Sequence, residues 1–547
     1  PGIGKKTAVA LLSAYGTLDE VFNNLYQIKP AIRKKLEAGK DLAYMSKELA
    51  DIWTNAPISL DLKHLNARNL DKVKLLNKLR ELEFNSLIRR LSSDSFSKMQ
   101  LEEDKVISLK EVPLDNNFKA GAILADNYVY LDNDTLLVSY DKKNFVRLNI
   151  NDDRELIKIL NIIGFDLKSL LKRLLALGYE TLPNVVFDVA QGEFLVNPLR
   201  AVRDVKEYLL DPTPELILSE IIRQHNKQEV TFKEDLELYR LAKNIDFKLI
   251  KVLAKMEFLG IRIDKAYLKK MSDKLKVEIE KLEETAFNLS GEKFNLSSPK
   301  QLSEVLFDHM NLPTKGIKKG KTGYSTGQKE LDKLRGIHPI IEVIERYREL
   351  TKLINTYIDT LPVLADENDR VHTTFNQNVV VTGRLSSTDP NLQNIPIRTE
   401  LGRKVREAFV PKEGYTFIQA DYSQFELRLA AVLAGDREMI DGFNRDEDIH
   451  KRTAALIYGV PDNEVTKEMR RSAKVILYGM SPHGLSVATK MSVKEAKDFI
   501  ERYFKLRIKL KEYLDSIIDF AKQHGYVKTL FGRKRPANHI NSSNYMV

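Results

Sequence analysis

The spacing of hydrophobic residues changes along the chain, and each change marks a predicted domain boundary. In residues 1–91, apolar positions recur at helical spacing between short polar turns, which predicts a group of short helices. Residues 92–105 are polar and rich in serine, and we assign 92–118 to a linker. The pattern of residues 119–244 predicts a domain that combines strands with helices.

The predicted α/β domain begins with strand-like segments separated by Asn/Asp turns. The segments AGAILAD, NYVYLD and DTLLVSYD, from 120 to about 148, predict strands. Helical spacing follows over roughly 153–178. The last domain, 245–547, is mainly helical at its start, and its long Lys/Glu-bearing stretches are typical of solvated helix faces.

One loop in this last domain differs from a solvated helix face. Residues 315–321, KGIKKGK, combine lysines with glycines in a short span. Lys318, Lys319 and Lys321 on a mobile tip would suit a phosphate backbone, because sequence-independent contact needs only adjustable cations. The alternative is a loop that only improves solubility.

Composition limits the classes of protein that this chain can be. Its 547 residues carry 87 Lys+Arg and 77 Asp+Glu, a net charge of +10, with 43% hydrophobic and 30% charged residues. Such a balance indicates globular domains and excludes a disordered chain. The absence of cysteine excludes a disulfide scaffold, a thiol nucleophile and a Cys-ligated metal. No apolar run approaches the roughly 18 residues of a membrane span, so we expect no membrane partner.

Residues 415–434 carry the first candidate chemistry. Residues 415–421 read as a buried strand that ends in Asp421, and the following helix has Ser423 as its expected N-cap. A carboxylate held at a strand end suits Mg²⁺, which needs hard oxygen ligands in strict geometry. The alternative for Asp421 is a turn or capping residue. Glu426, three residues after Ser423, has either a capping-box role or a functional one.

A second candidate is a helix face near residue 474. Arg470, Lys474 and Tyr478 are spaced four apart, so they share one face of a helix. Two cations and an aromatic ring on one face could hold a triphosphate and stack on a base. The alternative is an exposed basic face. His450, at a predicted helix start, is either structural or part of this site.

Two further segments suggest contacts with nucleic acid. Residues 382–396 are irregular and dense in Arg, Asn and Gln, whose side chains can contact phosphates and base edges, although a hydrogen-bonded loop would also explain them. Near the start, two glycines precede a helix that opens with Lys5 and Lys6. This arrangement fits either phosphate binding at a helix N-terminus or a tight turn.

The order of these segments along the chain resembles the order of motifs in the family A DNA polymerases. The resemblance rests on TGRLSSTDPNLQNIP at 382–396, ADYSQFELR at 420–428 and RRSAK at 470–474. PGIGKKTA at the start resembles the helix-hairpin-helix end of the family's 5′ nuclease domain, and FNLSSPKQL with TGYST resembles its thumb. The implied fold is multi-domain, α+β and α/β. It would have a helix-hairpin-helix remnant, an inactive ribonuclease H-like 3′–5′ exonuclease domain, and a right-hand polymerase domain with thumb, partial palm and fingers.

The resemblance also implies roles for individual residues. Asp421, with the Tyr422 carbonyl, would bind metal, and two Mg²⁺ ions would act in the complete enzyme. Glu426 would exclude a ribose 2′-OH. The incoming deoxynucleoside triphosphate would be bound by Gln424, His450, Arg470, Lys474 and Tyr478. Primer–template DNA would be contacted by Arg384, Asn391, Gln393 and Asn394, besides the lysines named above.

The chain departs from the family pattern in four ways. It ends before the second palm aspartate, and the acidic cluster of the 5′ nuclease would precede Pro1, so we interpret it as a fragment truncated at both ends. Four residues are absent after Lys474, which leaves the correspondence of Tyr478 open. The Asp-x-Glu exonuclease signature is missing from 120–140, so we expect no proofreading, with Asp166 and Asp188 as turn or packing residues.

The leading hypothesis is a templated DNA polymerase of replication and repair, monomeric and located in the bacterial cytoplasm at the nucleoid. We expect this chain alone to bind primer–template without efficient extension. A non-catalytic DNA-binding remnant, or degenerate copy, is the alternative. A structure-specific 5′ nuclease is a third hypothesis.

Overall fold

The computed structural model describes most of the chain and divides it into two compact units. The described residues are 4–51, 75, 78–79, 107–199, 204–209, 212–320, 323–397, 399–476, 481–489, 491–537 and 540–541. Residues 1–102 form the first unit and residues 103–547 form the second. Among the described helices, none combines the length and the apolar run needed to cross a bilayer.

The first unit contains the short helices that the apolar spacing predicts. They are α1 (Lys5–Tyr15), α2 (Leu18–Asn23), α3 (Pro30–Ala38) and α4 (Lys40–Ala50). Helix α1 ends at Gly16, whose φ of 81° is readily adopted by glycine. Val21, Ile28 and Leu36 form the small buried core. The part of the predicted helical range 1–91 that follows residue 51 lies almost wholly outside the described residues.

The second unit opens with a six-stranded sheet. Its strands are β1 (Lys110–Glu111), β2 (Asp126–Asp132), β3 (Thr135–Ser139), β4 (Asn144–Asn149), β5 (Asn161–Gly164) and β6 (Asn184–Asp188). Their order is β1-β4-β3-β2-β5-β6; β2–β3 and β3–β4 pair antiparallel, and the other neighbours pair parallel. The helices around it are α5 (Asn116–Leu124), α6 (Arg154–Ile157), α7 (Leu167–Ala176), α8 (Val189–Val196), α9 (Pro214–Glu234), α10 (Leu236–Leu241) and α11 (Phe247–Leu259).

One strand prediction for this region is wrong. The segment AGAILAD is not a strand but belongs mainly to helix α5, because Asp115 accepts the Phe118 amide at 2.7 Å and caps the helix. Phe118 and Ala122, four residues apart, are buried on one face. The linker range 92–118 contains strand β1, because Lys110 and Glu111 pair with the open edge of β4. Strands β2 and β3 confirm the other two strand predictions.

A helical region follows the sheet, as the charged periodic pattern predicts. Its elements are β7 (Ile261–Arg262), α12 (Lys265–Ser290), α13 (Pro299–Ser303), β8 (Lys319–Gly320), β9 (Gly323–Tyr324), α14 (Gln328–Leu331), α15 (Ile340–Leu353) and α16 (Thr360–Leu364). The 26-residue helix α12 packs along α15. Buried Leu268, Leu275, Leu350 and Leu353 belong to the shared core.

The remaining elements surround the candidate site. They are β10 (Arg370–Val371), β11 (Thr374–Asn376), β12 (Ser386–Thr388), α17 (Glu400–Glu407), α18 (Phe425–Ala434), α19 (Arg437–Asn444), α20 (Ile449–Tyr458), α21 (Lys467–Ile476), α22 (Pro482–Thr489), α23 (Val493–Leu506), α24 (Ile508–His524), β13 (Tyr526–Lys528) and β14 (Lys534–Pro536). The short strands pair antiparallel as β7–β10, β8–β9, β11–β12 and β13–β14.

Candidate nucleotide and nucleic-acid interface

The segment before α18 does not form the predicted buried strand. Residues 415–421 pair with no described strand, and Ile418 is 92% exposed and Tyr415 70%. Apolar alternation is buried only when a neighbouring strand and a packed layer cover it, and no described strand lies beside this segment. Asp421 is therefore an exposed carboxylate on irregular backbone.

Helix α18 begins one residue later than expected and is capped differently. Its N-cap is Gln424 in the left-handed conformation with φ 51°, so the predicted cap at Ser423 is wrong. The Ser423 carbonyl instead accepts from Arg428 Nε at 2.9 Å. Gln424 Oε1 is buried without a partner among the described residues. A residue in the left-handed region breaks the extended geometry that an N-cap side chain needs, which explains the absence of a capping box.

Glu426 is bound to another part of the chain. Its carboxylate forms an ion pair with Arg384, 42 residues earlier, and both side chains are largely exposed. The structural alternative for Glu426, a capping box with Ser423, is therefore excluded. The pair joins two segments that the sequence analysis singled out separately, the 382–396 segment and the start of α18.

The 382–396 segment is largely irregular, as predicted, but part of it pairs as β12. Asn391 accepts the Gln393 amide at 3.1 Å, and Gln393 Nε2 donates to the Leu385 carbonyl at 3.1 Å. These two side chains therefore stabilise the loop itself, as the alternative interpretation holds. Asn394 is exposed, and Arg384 points to Glu426.

Helices α20 and α21 bring two predicted cations next to a buried histidine. Arg470 Nε donates to Asp448 Oδ2 at 2.6 Å, and Asp448 also caps α20 through the Lys451 amide. His450, in the first turn of α20, is only 4% exposed. Burial, and then the positive charge of Arg470, lower the pKa of His450 to about 4. His450 is therefore neutral at physiological pH.

Lys474 lies one turn beyond Arg470 on α21 and remains exposed. The positive charge of Lys474 also lowers the pKa of His450, so the side chains of Lys474 and His450 are near each other. The described part of the chain offers Lys474 no carboxylate partner within ion-pair distance. The predicted shared face of Arg470 and Lys474 is confirmed by α21, whereas Tyr478 lies outside the described residues.

The described part of the basic loop, residues 315–320, contains a short strand. Ile317 is buried, the Lys318 amide donates to Glu330 Oε2 at 3.3 Å, and strands β8 and β9 form a small hairpin. The ammonium groups are nevertheless accessible: Lys318 and Lys319 are exposed, and Lys319 Nζ lies 4.8 Å from the centre of the Tyr324 ring. Lys321 lies outside the described residues.

A cleft that the sequence analysis missed lies beside this hairpin. It has a volume of about 510 Å³ and is lined by residues including Lys300, Ser303, Tyr324 and Arg348. Arg348 donates to the Thr326 carbonyl, and its half-buried guanidinium has a pKa lowered by loss of solvent. Within the described ranges, no carboxylate pairs with Arg348. The segments FNLSSPKQL and TGYST pointed to this region, but no single residue in them stood out.

Lys5 and Lys6 occupy the start of α1 in the first unit. Gly4 is the N-cap and provides no side-chain cap. The positions of the two lysine side chains lie outside what the structure describes, so the choice between phosphate binding and a tight turn stays a prediction.

Within the described ranges, no three His, Asp or Glu side chains converge in a way that could hold a metal ion. Asp421 and the Tyr422 backbone lie on an exposed segment. One carboxylate does not satisfy the ligand requirement of two Mg²⁺ ions. The described donor set therefore does not fit the pair of ions that the resemblance implied.

Comparison with known proteins agrees with the motifs. The model of DNA polymerase family A matches residues 265–547, and that of the 5′-3′ exonuclease C-terminal SAM fold matches residues 1–73. DNA polymerase I of Caldicellulosiruptor bescii is 37% identical over 99% of the chain and 66% of its own length. The thermostable DNA polymerase I of Thermus thermophilus is 38% identical over 99% of the chain and 65% of its own length.

A solved structure is similar as well. The POL domain of Pol1 from M. smegmatis, in complex with DNA primer-template and dNTP, aligns with a TM-score of 0.71 and 31% identity over 80% of this chain and 83% of that one. The chain spans about two thirds of the length of the curated relatives named above. With the polymerase model matching over half of its residues, this chain belongs to DNA polymerase family A.

Proposed function

We propose that this chain acts as a polymerase of the DNA polymerase I type, which carries out template-directed DNA synthesis in replication and repair. The observation that carries the proposal is the cationic face of α21. There Arg470 is oriented by Asp448, while Lys474 has no carboxylate partner in the described structure. An exposed cation without a counter-ion, next to a fixed guanidinium, is suited to a polyphosphate.

The incoming nucleotide would be held between α21 and the start of α18. Lys474 would bind the triphosphate as a mobile point charge and Arg470 as a fixed one. His450 stays neutral because it is buried and near both cations, so it would act as a hydrogen-bonding group rather than as a third charge. Glu426, held by Arg384, would exclude a ribose 2′-OH, and Gln424 would contribute its buried amide oxygen.

Primer–template DNA would contact three described surfaces. Arg384 and Asn394 are exposed on the 382–396 segment, Lys318 and Lys319 on the hairpin, and Arg348 lines the neighbouring cleft. All of these are cationic or amide side chains, which suit phosphate and groove contacts that do not depend on sequence. Lys5 and Lys6, in the helix-hairpin-helix proposed for the first unit, would add a further contact.

Family membership implies a divalent metal ion, which would activate the primer hydroxyl and stabilise the leaving pyrophosphate. Asp421 with Tyr422 is the candidate ligand set. Because the described donors do not fit two ions, we propose that the chain alone binds DNA more readily than it extends a primer.

The six-stranded domain is proposed as a ribonuclease H-like exonuclease without proofreading activity. Among the five strands β4-β3-β2-β5-β6 of its sheet, only β3 is antiparallel to its neighbours. Asp188 is buried, where it caps α8 and accepts the Leu167 amide at 2.7 Å, and Asp166 bonds Ser169 at 2.6 Å. Both carboxylates are thus occupied in turns. On the family resemblance, we also propose domain boundaries at residues 91, 118 and 244. We further propose that the protein is a monomer and that it acts at the nucleoid in the cytoplasm.

The test is a paired measurement of DNA binding and primer extension on one preparation. The unaltered chain should bind primed template, and a matching deoxynucleoside triphosphate should tighten binding. Lys474→Ala should abolish this tightening, because it removes a triphosphate contact. Lys497→Ala is the matched control, since that exposed lysine lies on α23 in a local pair with Glu501.

The outcomes separate the hypotheses. Binding that a nucleotide tightens, with or without extension, supports a polymerase. DNA binding that no nucleotide affects would favour the non-catalytic remnant. Absence of both binding and extension would contradict the proposal for this chain.

A further inference from the structure

A buried ion pair joins the hairpin of β13 and β14 to Asp246, which lies just past the proposed boundary at residue 244 and directly before α11. Arg533, next to the hairpin turn, donates from Nη2 to both carboxylate oxygens of Asp246 at 2.8 Å. The two side chains are only 11% and 5% exposed. Two other ion pairs, each more exposed than this one, flank it: Lys528–Glu237 at 2.7 Å and Lys534–Asp235 at 2.5 Å.

Asp246 is itself fixed from two other directions. Gln191 Nε2, on α8, donates to Asp246 Oδ1 at 2.8 Å, and Gln377 Nε2 donates to the Asp246 backbone carbonyl at 3.1 Å. A buried carboxylate with this many partners has little freedom to move, and a buried charge strongly favours retaining its partner. Asp246 therefore sets the position of the Arg533 guanidinium.

Arg533 lies against the backbone at Gly383. A Cβ placed on Gly383 would stand 2.6 Å from Arg533 Nε, so the guanidinium occupies the space that a side chain would need. Gly383 has φ 84°, and its amide donates to the Val380 carbonyl at 2.8 Å in a tight turn. The next residue is Arg384, whose side chain reaches Glu426. The direction of Arg384 therefore depends on a turn that Arg533 supports.

We propose that Asp246 and Arg533 are positioning residues that hold the turn at Gly383. The six-stranded domain, although without the exonuclease signature, would then anchor the 382–396 segment through the hydrogen bond from Gln191 to Asp246. The inference rests on the proposed function for its consequence, the placement of Arg384 on DNA. The anchoring itself rests only on the contacts of Asp246, Arg533 and Gly383.

Amide hydrogen exchange of the full chain tests the anchor without any activity assay. Asp246→Asn keeps the shape of the side chain but removes the charge that fixes Arg533. We expect exchange at the Gly383 turn to become about tenfold faster, as for a locally opened segment, with exchange in β2 and β3 unchanged. Glu237→Gln is the matched control, because it removes a flanking, exposed pair of the same hairpin and should leave the turn protected.

DNA binding then tests the consequence. If Arg384 is no longer held in position, the slope of log Kd against log salt should decrease in Asp246→Asn by about one, the amount expected for the loss of one phosphate contact. The slope should not change in Glu237→Gln. A merely structural loss would weaken binding without removing one contact from the slope. Faster exchange with an unchanged slope would overturn the positioning role.

A second variant tests the same contact in case Asp246→Asn does not fold. Arg533→Lys retains the charge and can still reach Asp246, but it lacks the planar group that lies against Gly383. It should also speed exchange at the turn, and unchanged exchange in a folded Asp246→Asn or Arg533→Lys would overturn the anchor. If the unaltered chain does not bind DNA, the proposed function fails, while exchange still decides whether Asp246 holds the turn.

Discussion

The buried carboxylate of Glu257 offers a sharp test of how the six-stranded domain is attached to the segments beyond it. Its side chain is fully buried on α11 and accepts from Lys168 Nζ at 2.6 Å, Lys172 Nζ at 2.7 Å and the Phe375 amide at 2.8 Å. The lysines lie on α7 and Phe375 on β11. One carboxylate thus connects three elements that are distant in sequence.

The magnitude follows from these contacts. Glu257→Ala leaves Lys168, only 15% exposed, with the Phe375 carbonyl as its remaining partner. Removing one partner of a buried ion pair costs about 3–5 kcal/mol. Because Lys172 is 35% exposed and can regain water, we expect a loss near the lower end, about 3 kcal/mol. Glu257→Gln, which keeps one acceptor oxygen, should cost less, about 1–3 kcal/mol.

Hydrogen exchange in α7 and α11 measures this loss locally, which avoids assuming two-state unfolding of a large chain. A loss of about 3 kcal/mol corresponds to roughly 100-fold faster exchange of the protected amides. The control is Glu155→Ala, which removes an i,i+3 pair with Lys158 whose carboxylate is 87% exposed and should change stability by less than about 0.5 kcal/mol. Equal exchange rates in the two variants would refute the argument that burial makes Glu257 important.

Three further predictions concern the interface. The pKa of His450 is about 4 in the fold and near 6.5 when unfolded, so the unfolded state binds more protons between these values and stability falls as pH drops from 6.5 to 4. His450→Gln should reduce this pH dependence by about 3 kcal/mol, measured as the local stability that hydrogen exchange gives for α20. Replacing Lys318 and Lys319 together by Ala should lower the salt slope of DNA binding by up to about two, and an unchanged slope would remove the hairpin from the DNA surface. Asp448→Asn should weaken nucleotide binding through Arg470, which loses its partner at 2.6 Å, and calorimetric titration with a deoxynucleoside triphosphate would show no change if Arg470 needs no orientation.

Features that depend on neighbouring residues were predictable from sequence. Arg470 and Lys474 share the face of α21, and His450 lies in the first turn of α20, because helical spacing and an Asp cap act over a few residues. The motif order also identified the family correctly, since the family model matches residues 265–547, which contain these segments. Length, charge and the lack of cysteine exclude several classes of protein by themselves, because these properties do not depend on how the chain folds.

Features that depend on distant partners required the tertiary structure. The apolar residues before Asp421 suggested a buried strand, but a strand exists only where another strand pairs with it, and no described strand does so here. Glu426 had a suitable capping-box spacing, yet the left-handed Gln424 changed the helix start and Arg384 bound its carboxylate. Sequence spacing describes contacts within a helix turn, whereas Asp246 with Arg533, 287 residues apart, meets only when the chain has folded.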